Sequence, residues 1–204
     1  MTELSEEEIN RRHNEKSAKR KQFQDKLVKD ADKEKHLLMV YTGTGKGKST
    51  AAFGTMLRAL GHDYKVGVVQ FIKGAWATGE QKALQKFDNL VTYEVGGEGF
   101  TWDTQNRARD IEKAQATWEI ALRMIQDESY HLVVLDELNI VLRYDYLQVD
   151  AVVAALQKRK MHVIVTGRNA PPALIESADL VSEMTLIKHP FREQGIKAQK
   201  GIEF

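Results

Sequence analysis

The fold of this chain is decided by the stretch Tyr41-Thr42-Gly43-Thr44-Gly45-Lys46-Gly47-Lys48-Ser49-Thr50, between the apolar run 37–40 and the alanine-rich segment 51–53. This order predicts a strand, a glycine-rich loop and a helix. The glycines let backbone N–H groups point into one concavity, and the helix start adds its positive dipole end. Lys48 can then contact phosphate oxygens, and Ser49 can hold a magnesium ion. Thr42 departs from the usual phosphate-loop pattern, which has glycine at that position.

Composition limits the classes to which the protein can belong. The chain has 204 residues, of which 42% are hydrophobic and 29% are charged, with a net charge of +1 and no cysteine. Disulfides and thiolate metal sites are therefore excluded, and no charge excess favours nucleic acid or membrane as a partner. The N-terminus lacks an apolar signal region, and no apolar run is long enough to span a bilayer. We expect a cytoplasmic protein.

Residues 1–35 differ from the rest, because more than half of them are charged. Ser5 and Glu8 match a capping box, which predicts a helix start. Phe23 and Leu27 lie four residues apart and would share one helix face. Two interpretations are open: a solvated or disordered arm, or a lid-like arm that orders over an anionic ligand or a neighbouring subunit. Residues 36–204 form the expected main domain.

From residue 36 onward, strand-like and helix-like segments alternate. This alternation predicts an α/β domain with a mostly parallel six-stranded sheet and helices on both faces. Trp118 recurs with other apolar residues at helical spacing, so we expect it in the core. Residues 188–204 are expected to be irregular. The predicted strands are 37–42, 65–71, 90–95, 131–136, 162–166 and 180–185, and the predicted helices are 48–60, 79–87, 104–127, 148–158 and 171–177.

An acidic pair follows the apolar strand 132–135, where Asp136 and Glu137 stand side by side. In phosphate-loop proteins such a strand is expected beside the loop strand, with its acids near the magnesium ion. Many strands end in acids, so the pair alone is a weak signal. Its combination with the glycine loop favours a metal role over a simple strand end.

Two arginines are candidates for contacts to a nucleotide. Arg168 follows the strand 162–166, and ligands of open α/β sheets gather at the carboxyl ends of strands. It can meet phosphate or ribose there, or it can be an ordinary solvated arginine. Arg58 lies in the helix after the loop and can reach the nucleotide or remain on the surface. The six histidines show no metal-ligand spacing.

The second unusual loop runs from Gly96 to Trp102 and contains three glycines, with Phe100 and Trp102 at its end. Large aromatic side chains on a flexible loop are costly to leave exposed to water unless they cover something. They can pack into the core, or they can form a platform for a large flat ligand. The residues alone do not separate these two possibilities.

Five motifs in order make the chain resemble the bacterial, phosphate-loop type of ATP:corrinoid adenosyltransferase, from about residue 5 to Phe204. They are 42–50, 66–74, 99–102, 134–138 and 166–168, followed by the tail 197–202. The resemblance implies a RecA-like fold and transfer of the 5′-deoxyadenosyl group of ATP to the cobalt of a reduced corrinoid, with triphosphate leaving. It also implies Mg²⁺ or Mn²⁺ as cofactor, a reduced flavodoxin-like electron donor and a homodimer.

The resemblance also assigns residues to the site. It places Thr42 to Thr50, Arg58, Gln70 and Arg168 near the nucleotide, and Ser49, Asp136 and Glu137 near the metal. Lys48 and Glu137 would stabilise the leaving-group charge. Phe100 and Trp102 would contact the corrinoid, displace its lower axial ligand and make Co(II) easier to reduce to nucleophilic Co(I).

Two rival functions remain open at this stage. The first is an ordinary phosphate-loop NTPase or kinase that cleaves the γ-phosphate. The second is a module that binds nucleotide and corrinoid without converting them. Product identity, triphosphate or phosphate, separates the transferase from the NTPase, and a turnover assay under reducing conditions separates catalysis from binding alone.

Overall fold

The computed structural model describes residues 5–72, 78–87, 89–96 and 106–203. The chain divides into two compact units, one up to Lys35 and one from His36 onward. The first unit is the helix α1 (Glu6–Asp30), which begins where the capping box predicts: the Ser5 hydroxyl accepts a hydrogen bond from the N–H of Glu8. Phe23 and Leu27 on this helix are 61% and 48% exposed.

The second unit contains a six-stranded sheet in the order β3-β2-β4-β5-β1-β6, with every pairing parallel. The predicted α/β architecture with a parallel six-stranded sheet is therefore confirmed, and the loop strand β1 lies at an internal position. The strands are β1 (Leu38–Thr42), β2 (Val66–Gln70), β3 (Val91–Val95), β4 (Leu132–Asp136), β5 (His162–Thr166) and β6 (Leu180–Glu183).

Helices cover both faces of the sheet, because residues of the buried strands alternate between two apolar clusters. In β4, Leu132 and Val134 face the cluster that contains α2, whereas Val133 and Leu135 face the cluster that contains α4 to α7. Trp118 is buried in the second cluster, as expected. The helices are α2 (Lys48–Leu60), α3 (Gly79–Leu84), α4 (Arg107–Gln126), α5 (Leu138–Arg143), α6 (Val149–Gln157), α7 (Pro172–Ser177) and α8 (Pro190–Gln194), with a 3₁₀ turn at Gln85–Phe87.

One prediction about the sheet is wrong: the acidic strand β4 does not lie beside the loop strand β1. Strand β5 lies between them and pairs with both. Strand length and hydrophobicity carry no information about this order, since β1, β4 and β5 are all short apolar runs. The acids can still face the loop because parallel strands end at the same edge of the sheet.

The ends of the sheet also depart from the sequence prediction. Residues of β6 are exposed at the sheet edge instead of buried on both faces, and β6 ends at Glu183. The tail that we expected to be irregular contains the short helix α8, and α5 follows β4 directly. No helix of the described residues is long and apolar enough to cross a membrane.

We predict that Ile164→Ala destabilises the domain by roughly 2–5 kcal/mol, because this side chain is fully buried in the central strand β5 and its loss leaves a cavity. Val181→Ala is the matched control on the edge strand β6, where the side chain is 40% exposed, and it should cost less than about 1 kcal/mol. Urea unfolding of both variants measures the difference. Equal losses would contradict the assignment of β5 to the core.

Candidate active site

The phosphate loop is shaped by two left-handed glycines and by its packing against the chain after β6. Gly43 has φ +94° and Gly47 has φ +102°. The N–H of Gly45 donates to the carbonyl of Met184 at 2.6 Å. A Cβ on Gly45 would lie only 2.6 Å from that same oxygen, so a larger residue cannot occupy this position. The loop therefore requires glycine for close approach as well as for its turns.

Lys48 begins α2 and is buried beneath the loop, where its Nζ donates to the carbonyl of Gly45 at 2.6 Å. Burial lowers the pKa of Lys48, and Glu137 opposes this change because its carboxylate favours the charged ammonium. The loop thus holds a cation with one backbone partner and an acid nearby. This arrangement suits a lysine that exchanges its partner for a phosphate oxygen.

The two acids at the end of β4 are tied to β5 through one hydroxyl. Thr166 Oγ1 donates to Asp136 Oδ1 at 2.7 Å and accepts the N–H of Glu137 at 3.0 Å. Asp136 is 3% exposed, and the Ser49 hydroxyl of α2 acts to lower its pKa. Glu137 adopts a left-handed conformation with φ 59° immediately before α5. The Thr166 hydroxyl thereby joins the acidic strand β4 to β5.

Burial dominates the electrostatics of the acids. It raises the pKa of Asp136, while the hydrogen bonds from Ser49 and Thr166 act in the opposite direction. Burial and the neighbouring Asp136 raise the pKa of Glu137 to about 7, against smaller lowering effects from Lys48 and Arg168. Desolvation destabilises both carboxylates until a cation compensates them.

The residues present fit a divalent cation. Glu137 Oε2 is buried without a hydrogen-bond partner among the described residues. Ser49, Asp136 and Glu137 supply hard oxygen donors, the type that Mg²⁺ and Mn²⁺ prefer. No group of three or more His, Cys, Asp or Glu within the described ranges could hold a metal by itself. A magnesium ion would therefore take its remaining ligands from phosphate and water.

These residues line a cleft of about 630 Å³ at the carboxyl edge of the sheet. Of the predicted site residues, Thr42, Gly43, Thr44 and Arg58 do not line this cleft. Arg58 is exposed in the last turn of α2, and Thr44 is exposed on the loop. Phe100 and Trp102 lie outside the described residues. The cleft brings together Gly45, Lys46, Gly47, Lys48, Ser49, Thr50, Gln70, Asp136, Glu137 and Arg168.

Sequence reasoning missed several other residues that line this cleft, and three of them make informative contacts. Tyr93 of β3 donates a hydrogen bond to Gln70 at 3.3 Å and lines the cleft. Glu203 forms an ion pair with Lys46, and Ile202 lines the cleft beside it. The end of the chain thus meets its phosphate loop. The long-range contact between Glu203 and Lys46 leaves no local sequence signal. The position of Tyr93 beside β2 could be inferred only once the order of strands in the sheet is known.

We predict that Glu137→Gln stabilises the metal-free protein at pH 8. The pKa of Glu137 is raised from 4.5 to about 7, so its ionisation penalises the folded state. The penalty is absent below about pH 4.5, grows as the pH rises towards 7 and is constant above. It corresponds to at most about 3 kcal/mol. Chemical denaturation in a chelating buffer at pH 4.5 and pH 8 measures the gain, which should vanish at the lower pH.

Two controls complete this experiment. Glu119→Gln removes the same charge from an exposed position on α4 and should leave the stability nearly unchanged at both pH values. Added Mg²⁺ should stabilise the original protein more than the Glu137→Gln variant, since the variant has lost a charged ligand. Equal stability of Glu137→Gln and the original protein at pH 8 would show that this carboxylate is not desolvated.

Comparison with known proteins gives a consistent result. The family model described as ATP:corrinoid adenosyltransferase BtuR/CobO/CobP matches residues 34–204. A corrinoid adenosyltransferase of Pseudomonas aeruginosa is 53% identical over 97% of this chain and 98% of its own length. One from Sinorhizobium is 53% identical over 95% of this chain and 92% of its own. One from Escherichia coli is 46% identical over 95% and 98%, respectively. Since the match covers the loop, the acids and Arg168 alike, this chain belongs to the ATP:corrinoid adenosyltransferase family.

Proposed function

We propose that the cleft at the carboxyl edge of the sheet is where this chain transfers the 5′-deoxyadenosyl group of ATP to a reduced corrinoid. The electron pair of Co(I) forms the bond to C5′, and the C5′–O bond breaks with its electrons passing to the triphosphate. Cobalt is formally oxidised to Co(III) in the alkylated product. One observation carries the proposal: Lys48, the acid pair and Arg168 converge on a single cleft.

The leaving group sets the demands on the protein. A departing triphosphate gains negative charge on its bridging oxygen, so the site must stabilise the whole chain of phosphates. In our proposal, the backbone N–H groups of Lys46 to Ser49, at the start of α2, hold the phosphates, and Lys48 exchanges its hydrogen bond to the Gly45 carbonyl for one to a phosphate oxygen. Arg168 adds a second cation from the turn after β5.

A divalent ion fits between the loop and the acids. Ser49, Asp136 and Glu137 would hold it, and the Thr166 hydroxyl would keep Asp136 oriented. When bound, Mg²⁺ or Mn²⁺ supplies charge neutralisation to the departing triphosphate. Support for Glu137 as a ligand comes from its Oε2, which is buried without a hydrogen-bond partner among the described residues.

We assign corrinoid contact to Phe100 and Trp102, on the basis of the resemblance and of two aromatics at the end of a glycine-rich loop. In this proposal the rings displace the lower axial ligand of the corrinoid. The acceptor orbital of Co(II) then falls in energy, and reduction to Co(I) becomes easier. The protein tunes and orients the corrinoid, and the cobalt performs the chemistry.

We further infer that residues 1–35 serve as a lid that excludes water from the reduced cobalt. Support comes from the helical form of α1 and from the exposure of Phe23 and Leu27 on it. A cytoplasmic location, a reduced flavodoxin-like electron donor and a homodimer complete the proposal. The electron donor and the homodimer follow from the resemblance, and the location follows from the composition of the sequence.

The products of the reaction distinguish this function from an NTPase. Phosphorus NMR of a reaction containing ATP, Mg²⁺ and chemically reduced cob(I)alamin should show triphosphate in step with adenosylcobalamin. Lys48→Ala should lower turnover by at least ~10²-fold, the scale of losing a contact to developing charge. Stoichiometric phosphate or ADP would favour the NTPase, and ATP binding without any product would favour the binding module.

The starting oxidation state separates the two roles possible for Phe100 and Trp102. Alanine at either position should reduce turnover strongly when the assay starts from Co(II) with a mild reductant. The loss should be much smaller when Co(I) is supplied, because the axial-ligand step is bypassed. Thermal denaturation is the control, since truncating a core aromatic costs roughly 3–5 kcal/mol. A large loss of stability with equal losses in both assays would assign these rings to the core.

A further inference from the structure

The turn that carries Arg168 has an unusual backbone. Gly167 has φ +124° and Asn169 has φ +55°, so left-handed residues stand on both sides of the arginine. Glycine adopts such angles freely and asparagine tolerates them, but neither residue selects this particular turn over others. Something outside the turn must therefore hold it in place.

Two buried polar side chains hold this turn from opposite sides. Asn139 is fully buried, and its Nδ2 donates to the carbonyl of Gly167 at 2.9 Å. Thr42 is 6% exposed, and its Oγ1 accepts the N–H of Ala170 at 3.0 Å. In the sequence, Arg168 lies between Gly167 and Ala170, the two residues that make these hydrogen bonds.

The two side chains lie on the two sides of β5, one at the end of strand β1 and one in the helix that follows strand β4. Thr42 is the last residue of β1, and Asn139 lies in the first turn after β4, while the sheet order is β4-β5-β1. The turn after β5 is thus held by the end of β1 on one side and by the start of α5, which follows β4, on the other. The clamp is tight on the β4 side, where a Cβ on Gly167 would lie 2.9 Å from Asn139 Cβ and 3.1 Å from Glu137 Oε2.

This arrangement accounts for the residue that departs from the phosphate-loop pattern. Thr42 stands where the pattern has glycine, yet it does not line the cleft. Its hydroxyl accepts from the backbone of the Arg168 turn, and glycine could not provide this acceptor. Arg168 itself lines the cleft with Lys48 and Glu137, and its charge acts on both of these groups.

We propose that Thr42 and Asn139 are positioning residues that clamp the turn 167–170 and so hold Arg168 against the phosphates of ATP. The inference rests on the proposed function, because it takes Arg168 as a group that touches the nucleotide. It reassigns Thr42 from a direct nucleotide contact to a support of Arg168. A guanidinium pairs with phosphate through directed N–H donors, so a small displacement of the turn weakens the contact.

A double-mutant cycle on the full chain tests this assignment, with Mg²⁺-ATP as the titrated ligand and calorimetry as the readout. Arg168→Ala should raise the Kd at least ~10-fold, as expected for the loss of a charge-assisted hydrogen bond. Thr42→Val keeps the shape of the side chain but lacks the acceptor, and it should raise the Kd roughly 3- to 10-fold. Thr42→Ser keeps the acceptor and should stay within about 2-fold of the original protein.

The decisive measurement is Thr42→Val in the Arg168→Ala background, where it should change the Kd by less than about 2-fold. A full effect there would mean that Thr42 acts on the nucleotide without Arg168, and the proposal would be overturned. It would equally fail if Thr42→Val or Arg168→Ala alone left the Kd unchanged. These results are separate from the phosphorus NMR assay, because intact triphosphate can be formed whichever residue holds Arg168.

A second cycle covers the case in which Thr42→Val does not fold, which thermal denaturation would reveal. Asn139→Ala removes the donor to Gly167 from the other side of the turn and should raise the Kd of ATP by a similar factor. Its effect should also disappear in the Arg168→Ala background. An Asn139→Ala effect that is the same in both backgrounds would reject the clamp.

Discussion

The hydroxyl of Thr166 is the interaction on which the site depends. It accepts from the backbone N–H of Glu137 and donates to the side chain of Asp136, so one oxygen holds the Asp136 carboxylate and the backbone of Glu137. Because β5 lies between the acidic strand and the loop strand, no direct pairing of β4 with β1 could do this. Strand β5 therefore both separates the acidic strand β4 from the loop strand β1 and connects them.

The site stores unfavourable electrostatics in the absence of ligand. Two adjacent carboxylates are desolvated, one of their oxygens has no hydrogen-bond partner among the described residues, and Glu137 adopts a left-handed backbone. Conformations of this kind persist only where the surrounding structure enforces them. Here the enforcement comes from the buried strands β4 and β5, whose apolar residues pack on both faces of the sheet. The stability of the core thus maintains an arrangement that is electrostatically unfavourable by itself.

Sequence reasoning predicted the elements well, because buried parallel strands and amphipathic helices leave strong local patterns. The bounds of α2 match exactly, and the acids and Arg168 do lie at the same edge as the loop. The order of the strands could not be predicted, since β1, β4 and β5 have similar composition and no local sequence feature indicates which strands pair. This error in strand order left the role of Thr166 unrecognised.

Long-range contacts account for what else was missed. The Thr42 hydroxyl is visible in the sequence, but its partner is the backbone of Ala170, and any residue except proline supplies the same N–H. Glu203 forms an ion pair with Lys46, although the two residues are far apart in the sequence. Acidic residues are common in surface segments, so the presence of Glu203 in the sequence does not predict this ion pair. Polar contacts of this kind follow from the fold and cannot be derived before it.

The close approach of Gly45 to Met184 has a consequence for how the protein is made. The glycine loop is synthesised well before Met184, whose carbonyl receives the N–H of Gly45. The loop strand β1 also cannot pair until β5 and β6 have been synthesised, because both neighbours lie far along the chain. Contacts of such large sequence separation form late, because loop closure is costly in entropy. A nascent chain therefore has no finished nucleotide site, and ATP can stabilise only the completed domain.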